Sequence, residues 1–242
     1  KKVIFTSSDK AVNPTNVMGT SKLMGERLMT AANSIKRGKG PIFASTRFGN
    51  ILGSSGSVVS VFHNQIMKGG PVTLTNKQMT RFVMSIKDAA RLVIDSAVKA
   101  KGGEVFITKM PVVRIPDLAK AMIEILSPKY GFHSNKIKIK VIGIKPGEKL
   151  YEELMSNEEV RRTIELKNYF TVLPAFRGIY NDIRYNYDDI VSKKMIKAYV
   201  SEKESPLSID KIKFILKEQN LIKKPVESMA ERYWPGDKEQ KF

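Results

Sequence analysis

Short apolar runs alternate with longer amphipathic segments over the first 110 residues of the chain. The runs are rich in β-branched and aromatic residues, which predicts buried strands at residues 2–6, 41–46, 71–74 and 105–107. Between the runs, apolar residues recur with a helical period, which predicts helices over about residues 17–36, 58–67 and 86–99. Strands that alternate with helices in this way favour a parallel sheet covered by helices.

The pattern changes after Pro111. The elements predicted beyond it are helices at 116–127, 208–219 and 225–232, a strand at 137–141, and a helix opened by Lys145-Pro146-Gly147-Glu148-Lys149. From about residue 177 the chain becomes highly charged. These changes predict three segments: a parallel α/β part at 1–110, a smaller α/β lobe at 111–180, and a charged helical tail at 181–242.

The composition is that of a folded protein, with 42% hydrophobic and 27% charged residues among 242. The absence of cysteine excludes disulfides, thiolate catalysis and cysteine metal sites. His63 and His133 are far apart and lack ligand-like spacing, so no metal site is predicted. No apolar run is long enough to span a bilayer. We therefore expect this segment to be cytoplasmic, and we expect any membrane anchor to lie outside it.

The formal net charge is +18, but lysine is scattered through every predicted element. Arginine interleaved with aromatic residues, the pattern of a nucleic-acid platform, is absent, so no nucleic-acid partner is predicted. The charge is better explained by a lysine-rich composition. A positive field would still help to capture an anionic ligand such as the diphosphate of a nucleotide-sugar.

Candidate chemistry is concentrated where the first strand ends. The run Thr6-Ser7-Ser8-Asp9-Lys10 places hydroxyls, a carboxylate and an amine at a carboxyl edge, where ligands bind in open α/β sheets. On the next helix, Met18 and Lys22 are one turn apart and share a face. A strand-end serine followed by this spacing resembles short-chain dehydrogenases, in which position 18 is normally tyrosine. A thioether cannot donate or remove a proton. Water, Lys22 or Asp9 is then the group that would accept the proton normally taken by the tyrosine.

One expected motif is missing. No Gly-x-Gly-x-x-Gly follows a strand, so the dinucleotide-binding fingerprint is absent from these residues. The chain also begins inside a predicted strand and without methionine. We therefore expect it to be the carboxyl-terminal part of a longer enzyme, and incomplete by itself.

Five motifs occur in the order of a known family. They are Ser7-Ser8-Asp9-Lys10-Ala11, Asn13-Pro14-Thr15-Asn16-Val17-Met18-Gly19-Thr20-Ser21-Lys22, Arg47-Phe48-Gly49-Asn50, Met79-Thr80-Arg81-Phe82 and Lys145-Pro146-Gly147-Glu148-Lys149-Leu150-Tyr151-Glu152-Glu153. Over roughly residues 2–175 the chain resembles the UDP-N-acetylglucosamine 4,6-dehydratases, the polysaccharide-biosynthesis branch of the extended short-chain dehydrogenases. The resemblance implies an α/β fold: the carboxyl-terminal half of a Rossmann-like doubly wound parallel sheet, plus a smaller α/β substrate lobe.

The resemblance also implies a reaction and its catalytic residues. NADP (or NAD) oxidises the sugar at C4, the C5 proton is removed, water leaves from C6, and the hydride returns to C6. Asp9 resembles the acid for the C6 oxygen and Lys10 the C5 base. Ser8 matches the hydroxyl near the C4 oxygen, Lys22 the lysine on the nicotinamide ribose, and Met18 the tyrosine position.

Further positions match cofactor or substrate contacts of the family. The implied cofactor contacts are Ser7, Lys22 and Arg47. The implied contacts to a UDP-sugar are Asn50, Ser55, Gly56, Ser57, Thr75, Arg81, Lys145 and Glu148. Lys145 stands where the family usually has arginine, so it keeps the charge but loses the bidentate fork. The resemblance further implies a homo-oligomer.

Simpler interpretations remain beside these. Asp9 can cap a turn with Lys10 in solvent, and Glu148, Glu152 and Glu153 can be carboxylates at a helix start. A UDP-N-acetylglucosamine 4-epimerase needs only oxidation at C4, usually through the tyrosine that this chain lacks. A catalytically silent sugar-nucleotide-binding or assembly module is the alternative outside enzymes.

Overall fold

The computed structural model describes residues 1–36, 40–54, 56–144, 146–175 and 183–222. In chain order its strands are β1 (Lys2–Ser8), β2 (Ile42–Phe48), β3 (Asn50–Ile51), β4 (Val72–Leu74), β5 (Thr80–Met84), β6 (Val105–Thr108), β7 (Val112–Arg114), β8 (Ile139–Val141), β9 (Glu153–Met155), β10 (Thr163–Leu166), β11 (Tyr169–Val172), β12 (Ile190–Ser192) and β13 (Tyr199–Val200). Its α-helices are α1 (Val17–Ile35), α2 (Val58–Met67), α3 (Ile86–Lys99), α4 (Ile115–Leu126), α5 (Asn157–Val160) and α6 (Ile209–Glu218).

The main sheet has six strands in the order β1-β2-β6-β11-β10-β12. The first three run parallel, with Lys2 opposite Ile42 and Ser45 opposite Val105. The other three continue the sheet in antiparallel fashion. The parallel half confirms the predicted α/β class, and its strands extend the predicted ones by one or two residues because the backbone ladder continues into the polar residues at their ends.

A smaller lobe is built from β3-β5-β7, from the pair β4-β8, and from helices α2, α4 and α6. Its core is apolar, with Phe62, Ile66, Leu118, Met122 and Leu126 almost completely buried. Ile212 and Leu216 of α6 pack into the same core. The apolar side of this lysine-rich helix therefore faces the body of the protein.

The predicted helix after Lys145 is wrong. The described residues from Pro146 onward form a turn, with Gly147 at a φ of 77°, and lead into the strand β9. Arg81 donates hydrogen bonds to the carbonyls of Lys149 and Leu150. These carbonyls are therefore bonded to a side chain of β5 rather than to a helical ladder.

The three predicted segments are not separate bodies. The main sheet takes β1, β2 and β6 from the first, β10 and β11 from the second, and β12 from the third. The tail is also not wholly helical, because β12 and β13 precede α6 within it. These two strands are only three and two residues long, so their apolar residues do not stand out among the many charged residues around them. The helix predicted at 225–232 lies outside the described residues.

Candidate active site

A single 3-10 turn, Asp9–Ala11, follows β1 and carries the predicted acid–base pair. The hydroxyl of Ser8 caps the turn by accepting a hydrogen bond from the backbone N–H of Lys10 at 3.2 Å. The side chain of Asp9 is only 6% exposed, whereas that of Lys10 is 41% exposed. The Lys10 Nζ atom lies 3.3 and 3.4 Å from the two carboxylate oxygens of Asp9. The turn therefore holds a carboxylate and an amine together at the carboxyl end of a parallel strand.

Helix α1 begins against this turn. Its cap is Asn16, whose side chain accepts a hydrogen bond from the backbone N–H of Gly19 at 2.9 Å. A Cβ atom on Gly19 would overlap the carbonyl oxygen of Lys10 and lie 2.9 Å from the Cβ atom of Pro14. Glycine is therefore required where the helix meets the turn, and it sets how closely α1 approaches Lys10.

We expect Gly19→Ala to move the turn away from α1. The overlap is with backbone atoms, so the expected loss in free energy of unfolding is about 1–3 kcal/mol. Chemical denaturation of the intact protein measures this loss. Thr20→Ala, one residue further along the same helix at an exposed position, is the control. Equal stability of the two variants would contradict the proposed contact.

Met18 and Lys22 lie one turn apart on α1, in agreement with their spacing. The Lys22 Nζ atom donates a hydrogen bond to the carbonyl oxygen of Thr6 at 3.0 Å and lies 5.3 Å from the centre of the Phe5 ring. Lys22 is thus fixed to β1, three residues before the Asp9–Ala11 turn begins. Met18 is 61% exposed, so it is not a core residue.

Ser7 is 2% exposed, and its hydroxyl has no hydrogen-bond partner among the described residues. A buried hydroxyl without a partner is costly, so such groups are rare unless a ligand or water satisfies them. Ser7 lies in β1, between Thr6, which holds Lys22, and Ser8, which caps the Asp9–Ala11 turn. This hydroxyl can therefore serve a ligand bound at the strand end.

Arg47 does not have the arrangement expected of a cofactor contact. Its side chain is 2% exposed, and its five N–H groups are used by Glu26, by Glu159 and by the carbonyl of Leu154 at 2.7–3.0 Å. Burial opposes ionisation of Glu159, but the charge and hydrogen bonds of Arg47 outweigh burial and lower the pKa of Glu159 to about 2. Arg47 thus joins β2, α1 and α5, and has no donor left for a ligand.

Asn50 is also engaged within the protein. Its amide group donates to the carbonyl oxygen of Phe82 at 3.0 Å and to the Glu152 carboxylate at 2.6 Å. Both N–H groups of Asn50 are thus taken within the protein and are not free for the predicted contact to a UDP-sugar. Arg81 is similar: it bonds the carbonyls of Thr80, Lys149 and Leu150, and its Nε atom lies 3.3 Å from Glu152. In this structure Asn50 and Arg81 organise the site rather than line it.

Other predicted substrate contacts lie around α2 and β4. Ser57 precedes α2, and the hydroxyls of Ser57 and Ser60 are buried without a partner in the described part of the chain. A Cβ atom on Gly56 would meet no atom within 4 Å, so this loop is open. Thr75 donates to Glu148 at 3.2 Å, which brings two predicted residues together. Ser55 and Lys145 lie outside the described residues.

Glu152 does not lie at a helix start, in contrast to the interpretation drawn from the sequence. It is 4% exposed, and Asp9 is among the charged groups that act on it. The neighbouring Glu153 accepts hydrogen bonds from Asn13 at 3.0 and 3.2 Å. Lys149 donates to the carbonyl oxygen of Val12 at 2.7 Å. No sequence pattern indicated these contacts, because they join segments about 140 residues apart and the intervening helix prediction was wrong.

Known proteins resemble this chain over most of its length. The profile of a family described as polysaccharide biosynthesis protein matches residues 1–174. The uncharacterized membrane protein MJ1061 of Methanocaldococcus jannaschii is 49% identical over 218 residues, which are 90% of this chain and 62% of that protein. An inverting UDP-N-acetylglucosamine 4,6-dehydratase of Campylobacter jejuni is 37% identical over 80% of this chain and 55% of its own length.

A solved structure has the same arrangement of strands and helices. The X-ray structure of Pen from Bacillus thuringiensis superposes with a TM-score of 0.80 at 39% identity, covering 91% of this chain and 63% of that one. The chain thus spans less than two thirds of each of these three proteins. Among the described residues, no helix combines the length and apolar character needed to cross a bilayer.

Proposed function

Because this chain belongs to the polysaccharide biosynthesis protein family, we propose that the intact protein is a UDP-N-acetylglucosamine 4,6-dehydratase. The observation that carries this proposal is the Asp9–Lys10 pair, a buried carboxylate 3.3 Å from a half-exposed amine at the end of β1. Elimination of water from a sugar needs a base and an acid close together. The dehydratase name of the relative from Campylobacter jejuni supports the same reaction.

Each member of the pair has one proton to move. With the sugar oxidised to a ketone at C4, Lys10 as the free amine takes the proton from C5. The C5–H electrons form the C5–C6 double bond, the bond from C6 to its oxygen breaks, and Asp9 as the acid gives its proton to the departing oxygen, which leaves as water. Lys10 then holds the proton taken, which it can exchange with solvent through its exposed side. When hydride is added at C6, Lys10 gives a proton back to C5, and the proton released from the C4 hydroxyl during oxidation balances the proton consumed at the departing oxygen.

The cofactor we propose is a nicotinamide dinucleotide, specifically NADP. When bound, it supplies the hydride transfers that oxidise C4 and later reduce C6. Ser7 and Lys22 fit such a group, since the Ser7 hydroxyl is buried without a partner among the described residues and Lys22 is fixed over the same strand. Lys22 would orient the ribose hydroxyls. Arg47 has no free donor and is left out of this assignment.

For the substrate we propose that the amino end of α2 receives the diphosphate. Backbone N–H groups and the helix dipole favour an anion there. The hydroxyls of Ser57 and Ser60 lie in the first turn without partners in the described part of the chain and can add hydrogen bonds. Thr75 and Glu148, joined at 3.2 Å, are proposed to border the same pocket.

The test is the product formed by the intact protein. We would incubate it with UDP-N-acetylglucosamine in deuterated water, with NADP or NAD added in parallel, and follow the sugar by NMR. A 4-keto-6-deoxy product with deuterium at C5 is the expected result, because the base exchanges its proton with solvent. The same reaction in ordinary water is the control for the C5 label.

Other products would replace the proposal. UDP-N-acetylgalactosamine without label at C5 would identify an epimerase. Binding of the UDP-sugar without turnover, with either cofactor, would identify a silent binding module.

A further inference from the structure

Glu152 is a buried carboxylate that the reaction above does not use. It follows the Pro-Gly turn and immediately precedes β9, and it is 4% exposed. Its backbone is tied to Ser201 by two hydrogen bonds, one from the Glu152 N–H to the hydroxyl and one from the Ser201 N–H to the carbonyl oxygen of Glu152. The position of Glu152 is therefore set by backbone as well as side-chain contacts.

The carboxylate of Glu152 receives donors from three residues of the lobe. One oxygen accepts from the amide of Asn50 at 2.6 Å and from the backbone N–H of Phe82 at 3.2 Å. The other lies 3.3 Å from the Arg81 Nε atom. Side chains and backbone of β3 and β5 thus hold this carboxylate in one orientation.

The segment that carries Glu152 is bonded to the chain that follows the Asp9–Ala11 turn. Two bonds join its own segment to the chain that follows Lys10, namely Lys149 to Val12 and Asn13 to Glu153. The charged groups that act on Glu152 are Asp9 and Lys10 from the turn and Arg81 from β5. Lys149 and Glu153, on its own segment, pair with each other at 3.7 Å. Asp9 is thus the carboxylate that shares this buried environment with Glu152.

We propose that Glu152 is a positioning residue for the Asp9–Lys10 pair. The smaller lobe holds Glu152 in place, and Glu152 sets the charge next to Asp9. The expected effect of Glu152 on turnover rests on the proposed dehydration, whereas its expected effect on the charge near Asp9 does not. Asn50 and Arg81 acquire a role through it, because they orient the carboxyl group of Glu152.

The electrostatics give this role a direction. Burial and the neighbouring Asp9 carboxylate raise the pKa of Glu152 to about 8, against the opposing effects of Arg81 and Asn50. Below that pH Glu152 is neutral and adds no charge next to Asp9. Above it, Glu152 carries a second negative charge there, which opposes the negative charge that Asp9 gains when it gives its proton to the departing oxygen, so the elimination is slowed.

The kinetic test compares Glu152→Gln with the wild-type intact protein over pH 6–9. Glutamine is isosteric with the neutral carboxyl group, so we expect KM to be unchanged and kcat near that of wild type at pH 7. Between pH 7 and 9 the ratio of kcat in the variant to kcat in wild type is expected to rise about tenfold, since a group with a pKa near 8 is about one-tenth protonated at pH 9.

A second measurement does not depend on turnover. Glutamate labelled with carbon-13 at the carboxyl carbon reports the titration of Glu152 by NMR, assigned by loss of its resonance in Glu152→Gln. We expect a midpoint near pH 8 in wild type, and a lower midpoint in Asp9→Asn because the neighbouring charge is gone.

The control is Glu165→Gln, which removes a glutamate paired with Lys109 at 2.6 Å on the main sheet. Its kcat ratio should be flat over pH 6–9. A flat ratio for Glu152→Gln, or an Asp9→Asn midpoint equal to that of wild type, would overturn the role of Glu152. Lack of turnover in wild type with a shifted Asp9→Asn midpoint would instead refute the dehydratase proposal and keep the electrostatic pairing.

Discussion

Lys10→Ala in the intact protein is expected to stop exchange of the C5 hydrogen with solvent. Removal of a positioned base typically costs 10²–10⁴-fold in rate. The Lys10 amine is partly exposed and lies 3.3 Å from the buried carboxylate of Asp9. Deuterium incorporation at C5, followed by NMR, measures the loss, and UDP-sugar affinity measured by calorimetry should change little.

Lys99→Ala is the matched control for this variant. Lys99 also pairs with an aspartate, Asp189, at 2.8 Å, but at the end of α3. Its substitution should leave C5 exchange intact. Exchange at the wild-type rate in Lys10→Ala would remove Lys10 from the mechanism, whereas loss of UDP-sugar binding as well would mean that the lysine holds the substrate.

Arg47→Met is expected to destabilise the protein by about 3–5 kcal/mol, the usual cost of leaving buried charges without their partner. Glu26 and Glu159 are 3% and 6% exposed at the side chain, and Arg47 donates two hydrogen bonds to each. Methionine fills a similar volume but supplies no donor, so the loss reflects charge rather than a cavity. Urea denaturation of the intact protein measures it.

The pH dependence provides a second readout of the same variant. The folded-state pKa of Glu159 is about 2, below its ordinary value near 4.3. Its contribution to stability is therefore present above about pH 4.5 and lost as the pH falls towards 2. Arg47→Met should lose less over that interval, because Arg47 no longer favours the ionised form. Arg27→Met, at an exposed position of the same helix as Glu26, should behave as wild type; equal stability of Arg47→Met would contradict the buried pair.

The parts of this fold that the sequence predicted depend on local pattern. Apolar runs located β1, β2 and β6, and helical periodicity located α1 and α3. Fixed spacings along the chain also held, since Ser8 ends β1, Asp9 and Lys10 follow it directly, and Lys22 is one turn beyond Met18.

The parts that were missed depend on contacts between distant segments. Arg47 and Asn50 follow a strand just as ligand contacts do, and the carboxylates that engage them belong to residues 26, 152 and 159. A polar side chain at a strand end is free to contact a ligand only when no carboxylate from a distant segment binds it. The segment after Pro146 likewise has the composition of a helix start, and its course is decided by Arg81.

Strand β12 pairs with the outer edge of β10, and this pairing limits where the protein can be shortened for expression. The family match ends at residue 174, which suggests a convenient point of truncation. A protein cut there would lose β12 and expose the hydrogen-bonding edge of β10 to pairing with other molecules. It would also lose α6, uncovering the apolar surface that Ile212 and Leu216 protect. The end of the family match therefore lies inside a sheet and a core that continue beyond it, and a protein shortened at that point is expected to aggregate.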